Sequence, residues 1–585
     1  MAANTLTTTP RNEQADGMTV DYNVPIPTDD GIVLRADVYR PTGAGRYPVV
    51  LSYGPYAKGL AFQEAYKLQW DKMVRDHPDV AAHSTNRYQS WEVVDPEKWL
   101  PDGYVCVRVD SRGAGWSPGY MDVWSARETR DVYESVEWAA TQPWSNGKVG
   151  MTGISYYAIN EWLVAGLQPP HLAAVVPWEG AADFYRDMTY HGGIHCEFAG
   201  NWYPLQVETV QHGLGDRARK SPNTGESVAG SETLSTEELK RMRADLGAEI
   251  RAHPLDDQWH RSRSSDLSKV NIPFLSAANW GGQGLHLRGN LEAFTQAATQ
   301  QKWLEVHGDS HWSLFYTDYG IDLQKRFFDY SLKGSDNGWA QQPRVQLQVR
   351  HVDRFVQRSE NEWPLARTQW TKYYLNPAGN LLQPEPVAAE GRVEYEGFGE
   401  GADFSFSMNR ETEITGPIAA KLFVSSATRD ADLFLVVRVF DPSGGEVVFQ
   451  GALDPNTPVA QGWLRVSHRK LDAARSLPYR PYHTHDEVQP LTPGEVYEVD
   501  VEVWPSSIVV PAGYRVTLSV RGKDYEYGGQ LDEFARTFVY AGKGCGPFVH
   551  TSPEDRPQDV FGGRVAIHAG GRHSSYVMLP IIPER

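Results

Sequence analysis

The feature that most limits what this chain can fold into is a change of rhythm along it. Strand-like and helical segments alternate over the first part, and strand-like segments alone fill the last. VDYNVPIP, GIVLRADVYRP and YPVVLSYGPY alternate or cluster apolar residues between turn signals and read as successive strands. YVCVRVD reads as another strand, ETRDVYESVEWAATQ has helical spacing through Val132, Val136 and Ala139, and GKVGMTG returns to strand. INEWLVAGL continues as helix and AAVVPWEG as strand. Such βαβ alternation predicts a mostly parallel sheet covered on both faces.

Residues 181–265 interrupt this order with polar, helix-rich sequence, which reads as an inserted cap. Ser235 followed by Glu238 is a capping-box signal, and Leu239, Met242, Leu246 and Ile250 then form one apolar helical face. Alternation resumes with IPFLSAANW and KWLEVHG, and GWAQQPR reads as a linker. Beyond 345 the runs RVQLQVR, AAKLFVSSA, LFLVVRVF, VYEVDVEVW and YRVTLSV, separated by turn residues, predict a β-sandwich. The expected division is therefore a core of 1–180 and 266–340, a helical cap of 181–265 and a sandwich of 345–585. A chain of 585 residues exceeds what one core usually spans, in keeping with several domains.

Charge excludes some partners. Lys and Arg number 56 against 74 Asp and Glu, a formal charge of −18, and no long basic run concentrates positive charge. Neither nucleic acid nor an anionic membrane is an expected partner. The three cysteines, Cys106, Cys196 and Cys545, are too few and dispersed for a disulfide framework or a CxxC metal site, and read as buried thiols in a reducing compartment. MAANTLTTTPRNEQADG has no apolar stretch after its charges, so a cytoplasmic location is expected.

The sharpest chemical signal is KVGMTGISYYAINEWLVAGL, a strand, Gly153, Ser155, then a helix. A serine on such a turn stands exposed above a sheet, where a base can reach it and the following amide can donate to an oxyanion. The usual G-x-S-x-G is not met, because Tyr157 holds the second position after Ser155 and the small residue, Ala158, comes one later. The competing reading is a structural strand-to-helix turn.

QPWSNGKVGMTGISYYA, together with DDGIVLRADVYRP, DSRGAGWSPG, GWLRVSHRKLD and PAGYRVTLSV in the same order, resembles the cocaine esterase and X-Pro dipeptidyl-peptidase family of serine hydrolases. The resemblance implies an α/β-hydrolase domain, a helical cap inserted into it and a C-terminal jelly-roll domain. It implies that Ser155 is the nucleophile and that His311, in WLEVHGDSHWSLFY, is its base, with His307 as the fallback. The family's acid is an Asp two residues after a Trp at a strand end, where this chain has Gly282. Losing that carboxylate costs on the order of 10⁴ in turnover in known triads. Glu179, at the end of VVPWEG, preserves the order Ser, acid, His and is the preferred substitute; Asp309 is a lesser candidate, and the family points to a structural role for Asp183. Tyr56 matches the family's oxyanion-hole phenol, the Tyr156 amide is the second donor, and Tyr53 is a weaker candidate.

His191, His195 and Cys196 in HGGIHCEFAGNWY invite a metal-site reading, but no second cluster supplies ligands at a recognisable spacing, and Gly192 and Gly193 argue against a helix. His191, Phe198, Trp202 and Trp280 are assigned instead to the substrate pocket, with no metal and no organic cofactor. The GAG of DSRGAGWS lacks a Walker lysine or a dinucleotide fingerprint and reads as a turn. The expected function is hydrolysis of an ester or amide, in a small molecule or a peptide, through an acyl-enzyme on Ser155. Two alternatives stand beside it: an acyltransferase using the same serine, and a non-catalytic ligand-binding homologue, which the glycine at 282 favours. A homodimer is an expectation of the resemblance alone.

Overall fold

The computed structural model describes residues 11–530 and 543–584. The first part builds one eleven-stranded sheet. Its chain order begins with β1 (Arg11–Ala15), β2 (Met18–Pro27), β3 (Val33–Pro41) and β4 (Tyr47–Gly54). It continues with β5 (Val105–Asp110), β6 (Ser145–Ile154) and β7 (Leu172–Trp178). A short hairpin of β8 (Tyr190–His191) and β9 (Ile194–His195) stands apart from the sheet. The sheet resumes with β10 (Phe274–Asn279), β11 (Lys302–His307), β12 (Val345–Arg350) and β13 (Phe355–Glu360).

The spatial order is β1-β2-β3-β5-β4-β6-β7-β10-β11-β12-β13. Neighbours from β5 through β12 run parallel, as the βαβ pattern predicts, and β1, β2, β3 and β13 are attached antiparallel. Helices Ala126–Ala140, Tyr156–Leu167, Leu287–Gln296 and Asp318–Lys333 cover the sheet. Val132, Val136 and Ala139 are fully buried, so the helical spacing seen in the sequence is a packing face. Ser155, Glu179, His286 and His311 follow the carboxyl ends of β6, β7, β10 and β11, where a parallel sheet presents its loops.

Three differences from the sequence reading have physical reasons. RVQLQVR, expected in the sandwich, is β12: it pairs parallel with β11 through Leu304–Val345 and carries β13 as the sheet's edge, so the C-terminal set of strands begins after 360. The cap's apolar face is broken. Met242 lies at the end of helix Thr236–Arg241 and is exposed, and Asp245 caps a separate helix, Leu246–Ala252, which buries Leu246 and Ile250. A second helical insertion that the sequence reading did not separate lies between β4 and β5, with helices Phe62–Ala65, Lys67–Asp76 and Pro96–Trp99.

The C-terminal strands form a second large sheet, and it closes on itself because Tyr576–Ile582 pairs with both Gln369–Asn376 and Thr412–Ser426. This domain is joined to the first by Arg350, a fully buried guanidinium that donates to the carbonyls of Ser507 and Val459 and to the Ser506 hydroxyl.

Candidate active site

Ser155 sits between β6 and the helix that starts at Tyr156, with φ 59° and ψ −109°. A non-glycine residue there is strained by about 1–3 kcal/mol, and such strain persists only where surrounding structure imposes it. Here the Ser155 amide donates to the Trp178 carbonyl of β7, and the Ile154 amide to the Glu92 carbonyl. Tyr157 replaces the usual small residue because its neighbours make room. A Cβ on Gly153 would lie 2.4 Å from the Tyr157 Cβ, and one on Gly54 would lie 2.6 Å from its ring. The turn thus keeps its shape with the bulk on the other side of the contact.

The imidazole against Ser155 is one that the sequence reading did not single out. His286 Nε2 is 3.0 Å from Ser155 Oγ, and the ring of His286 stacks on that of His311 with centroids 4.6 Å apart. His311 is held at both nitrogens: Nδ1 is 2.7 Å from Glu179 Oε2, and Nε2 is 3.1 Å from Glu92 Oε1. Glu179 also reaches His307 Nε2 at 3.1 Å through Oε1, and His307 Nδ1 lies 2.6 Å from Glu305 Oε2. The result is a buried row of alternating carboxyl groups and imidazoles, Glu305, His307, Glu179, His311 and Glu92, with His286 stacked on His311.

Electrostatics follow from that alternation. Burial opposes charge on His311, but Glu179 and then Glu92 outweigh it and bring its pKa from 6.5 to about 9. His307 rises to about 10 for the same reason, with Glu305 the first contributor against burial. Burial would raise Glu179, yet His311 and His307 hold it at about 2. His286 moves the other way: burial, then the neighbouring His311, push its pKa well below 6.5, so it is a neutral acceptor beside the serine hydroxyl. Its Nδ1 has no hydrogen-bond partner among the described residues.

The other acid candidates are engaged elsewhere. Asp309 Oδ2 lies 2.7 Å from His77 Nε2, and Asp183 accepts from the Arg186 backbone and guanidinium. At Gly282 the backbone amide donates to the Asn279 carbonyl, and a Cβ there would meet that oxygen at 3.1 Å and the His286 Cβ at 3.4 Å. The carboxylate that meets His311 is that of Glu179, the residue after β7. Asn279 steadies it, donating from Nδ2 to Glu179 Oε1 and to the Asp309 carbonyl.

A cavity of about 210 Å³ opens over Ser155, His286 and His311 and is walled by Tyr56, Trp91, Phe198 and Trp202. Burial pushes the Tyr56 phenol well above its ordinary 10, so it remains a donor. The Tyr156 amide is among the first N–H groups of its helix, which have no carbonyl within it; its phenol is turned away to Glu128. Tyr53 accepts from the Arg112 amide and does not line the cavity. Two pocket assignments are corrected. Trp280 is fully buried, donating to the Gln348 carbonyl and packing on Trp363, because it points under the sheet end. His191 faces Trp463, Trp504 and His550, because its hairpin docks on the C-terminal domain. Leu453 and Pro547 bring that same domain to the cavity wall, and the His311 amide donates to Ala452.

Among the described residues, two groups of three could hold a metal ion, Glu179 with His286 and His311, and His191 with Cys196 and His550. The GAG turn is built around Asp110, which accepts from the Lys58 and Trp116 amides and leaves no room for a side chain at Gly115.

Residues 30–313 match the X-Pro dipeptidyl-peptidase (S15 family), and 337–578 match the X-Pro dipeptidyl-peptidase C-terminal non-catalytic domain. The chain belongs to the S15 family of hydrolases. A CocE/NonD family hydrolase from Staphylococcus aureus superposes with a TM-score of 0.82 at 32% identity, covering 97% of this chain and 94% of that one. Cocaine esterase from a Rhodococcus species is 26% identical over 638 residues, covering 96% of this chain and 98% of its own. A putative serine esterase from Mycobacterium bovis is 25% identical, covering 90% of this chain and 94% of its own. This S15 protein is accordingly a hydrolase of the serine esterase kind, and no helix among its described residues is long and apolar enough to cross a membrane.

Proposed function

We propose that the protein hydrolyses an ester or amide by acylation of Ser155. The observation that carries this reading is a strained serine at a strand-to-helix turn, with an imidazole nitrogen 3.0 Å from its Oγ, at the floor of an aromatic cavity. The imidazole at that distance is His286; in the reading the resemblance implies, His311 behind it is the general base, oriented by Glu179 in place of the family's Asp, and it later protonates the leaving group. Tyr56 and the Tyr156 amide donate to the oxyanion. Water then releases the acid. The aromatic wall favours an apolar acyl or alcohol group. The C-terminal domain, read as a jelly roll, closes one side of the cavity through Leu453 and Pro547. A burst of p-nitrophenol from a p-nitrophenyl ester, equal to the enzyme added and absent in Ser155→Ala, is expected. Steady hydrolysis without a burst in the wild type, matched by Ser155→Ala, would contradict it. A competing amine or alcohol that diverts product from acid to amide or ester would mark an acyltransferase.

One observation favours a second assignment of the proton. Both nitrogens of His311 face carboxylates, whereas His286 is neutral and already touches Ser155 Oγ. In that version His286 takes the serine proton, and the cationic His311 stacked on it is a fixed charge that Glu179 and Glu92 hold in place.

A further inference from the structure

His191, Cys196 and His550 lie outside the catalytic cavity, and the function proposed above makes no use of them. The three are completely or almost completely buried, and the thiol and one nitrogen from each imidazole lie within 4.8 Å of one another. Chain alternation explains the near half of the group. His191 pairs with Ile194 across the β8–β9 hairpin, so residues 191, 194 and 196 share one side while His195 takes the other. The tight turn at Gly192 and Gly193 makes that pairing possible, since both have positive φ. The far half comes from the C-terminal domain, where His550 brings its Nε2 to 2.9 Å from His191 Nδ1.

The outer partners of the two rings decide what lies between them. His550 Nδ1 is 2.7 Å from Asp524 Oδ1, and a carboxylate there calls for a hydrogen on Nδ1. His191 Nε2 faces the Asp187 carbonyl at 3.4 Å, which likewise favours its hydrogen on that side. With both hydrogens outward, two bare nitrogens point at each other beside a thiol. A hydrogen on His191 Nδ1 would close the 2.9 Å gap as a plain hydrogen bond; a cation closes it while both outer partners keep theirs. A histidine whose remote nitrogen donates to a carboxylate is the usual second shell of a metal ligand.

We propose that His191, Cys196 and His550 bind a zinc ion that staples the cap hairpin to the C-terminal domain. Two imidazoles and a thiolate supply three donors of a borderline-soft set suited to zinc, with Zn–N near 2.0–2.1 Å and Zn–S near 2.3 Å, and a water would complete the tetrahedron. Binding displaces the Cys196 thiol hydrogen to solvent as a proton. The staple reaches the catalytic loop: Phe548, two residues before His550, packs so closely on Gly284 that a Cβ there would meet its ring carbon at 2.7 Å, and Gly284 is two residues from His286.

The test uses the full chain, stripped with a chelator and titrated with cobalt(II), then zinc. One equivalent of cobalt is expected to give tetrahedral visible bands and a thiolate charge-transfer band, both erased by zinc. Cys196→Ser should remove the charge-transfer band, His550→Ala should abolish tight binding, and Asp524→Asn, which changes no ligand, should weaken binding about 10–100-fold. The Glu179 group has no thiol and cannot mimic the charge-transfer band. Absence of a cobalt spectrum in the wild type would overturn the proposal, as would one that survives Cys196→Ser and His550→Ala. Should either variant fail to fold, Asp524→Asn alone decides: unchanged affinity rejects the site.

Discussion

Replacing Glu179 by Gln keeps the shape of the side chain and removes its charge, which isolates what that charge does for His311. The rise of His311 from 6.5 to about 9 is a preference for the imidazolium of about 3 kcal/mol at 1.36 kcal/mol per pH unit, with Glu179 the first contributor and Glu92 the second. If His311 is the base, it must first lose that proton, so kcat/KM of the wild type should climb with pH through a midpoint near pH 9 and level off only above it. Glu179→Gln should move this rise toward the ordinary imidazole range. It should also lower the plateau between roughly 10²- and 10⁴-fold; the upper figure is the cost of losing a triad acid, and the lower allows for Glu92 still holding Nε2. The assay is hydrolysis of a p-nitrophenyl ester across the pH range, with circular dichroism and the thermal midpoint to show that the variant is folded. A Glu179→Gln profile that superimposes on the wild type, or a plateau within a few-fold of it, would refute the reasoning.

Four further outcomes can be checked. His286→Gln should lower kcat by 10²-fold or more if His286 takes the serine proton, and Ser155 labelling by a fluorophosphonate should slow in parallel; a near wild-type kcat removes that assignment. Tyr56→Phe should cost about 10²–10³ in kcat with KM little changed, read in the same ester assay, as for the loss of one oxyanion donor. Because the folded-state values of His307 and His311 lie above 6.5, their contribution to stability is full below pH 6.5 and is lost as pH rises through about 9 and 10, so the thermal midpoint should fall over that window, and less steeply in Glu305→Gln. Ser155→Gly should be more stable than Ser155→Ala by about 1 kcal/mol in denaturant unfolding, since glycine adopts φ 59° without strain and Ala does not.

The alternating pattern made the parallel sheet legible because period-2 and period-3.6 spacings are local properties. Val132, Val136 and Ala139 needed nothing beyond their own helix to announce a buried face. RVQLQVR was misplaced for the converse reason: its strand character is local, but its partner β11 lies far back in the chain. At the site, Ser155 was legible from its turn, and the meeting of Glu179 with His311 at 2.7 Å follows an order of strand ends that the sequence carries. His286 and Glu92 were not. His286 stands in a Gly-rich turn at the mouth of a helix, with no spacing that ties it to Ser155 131 residues earlier, and Glu92 lies in an insertion whose course over the sheet no local pattern sets. The one hint for His286 in the sequence is its place four residues after Gly282, in the loop where the family carries its acid. The aromatic neighbours of His191 in sequence point to the pocket, whereas the hairpin turns it toward the C-terminal domain.

The central claim is that Ser155 becomes covalently acylated. Its most direct test is mass spectrometry of the intact protein after a fluorophosphonate, followed by peptide mapping. One adduct per chain, on the peptide containing Ser155 and absent from Ser155→Ala, is the predicted result; equal labelling of the wild type and Ser155→Ala, or an adduct mapped to another residue, would contradict it.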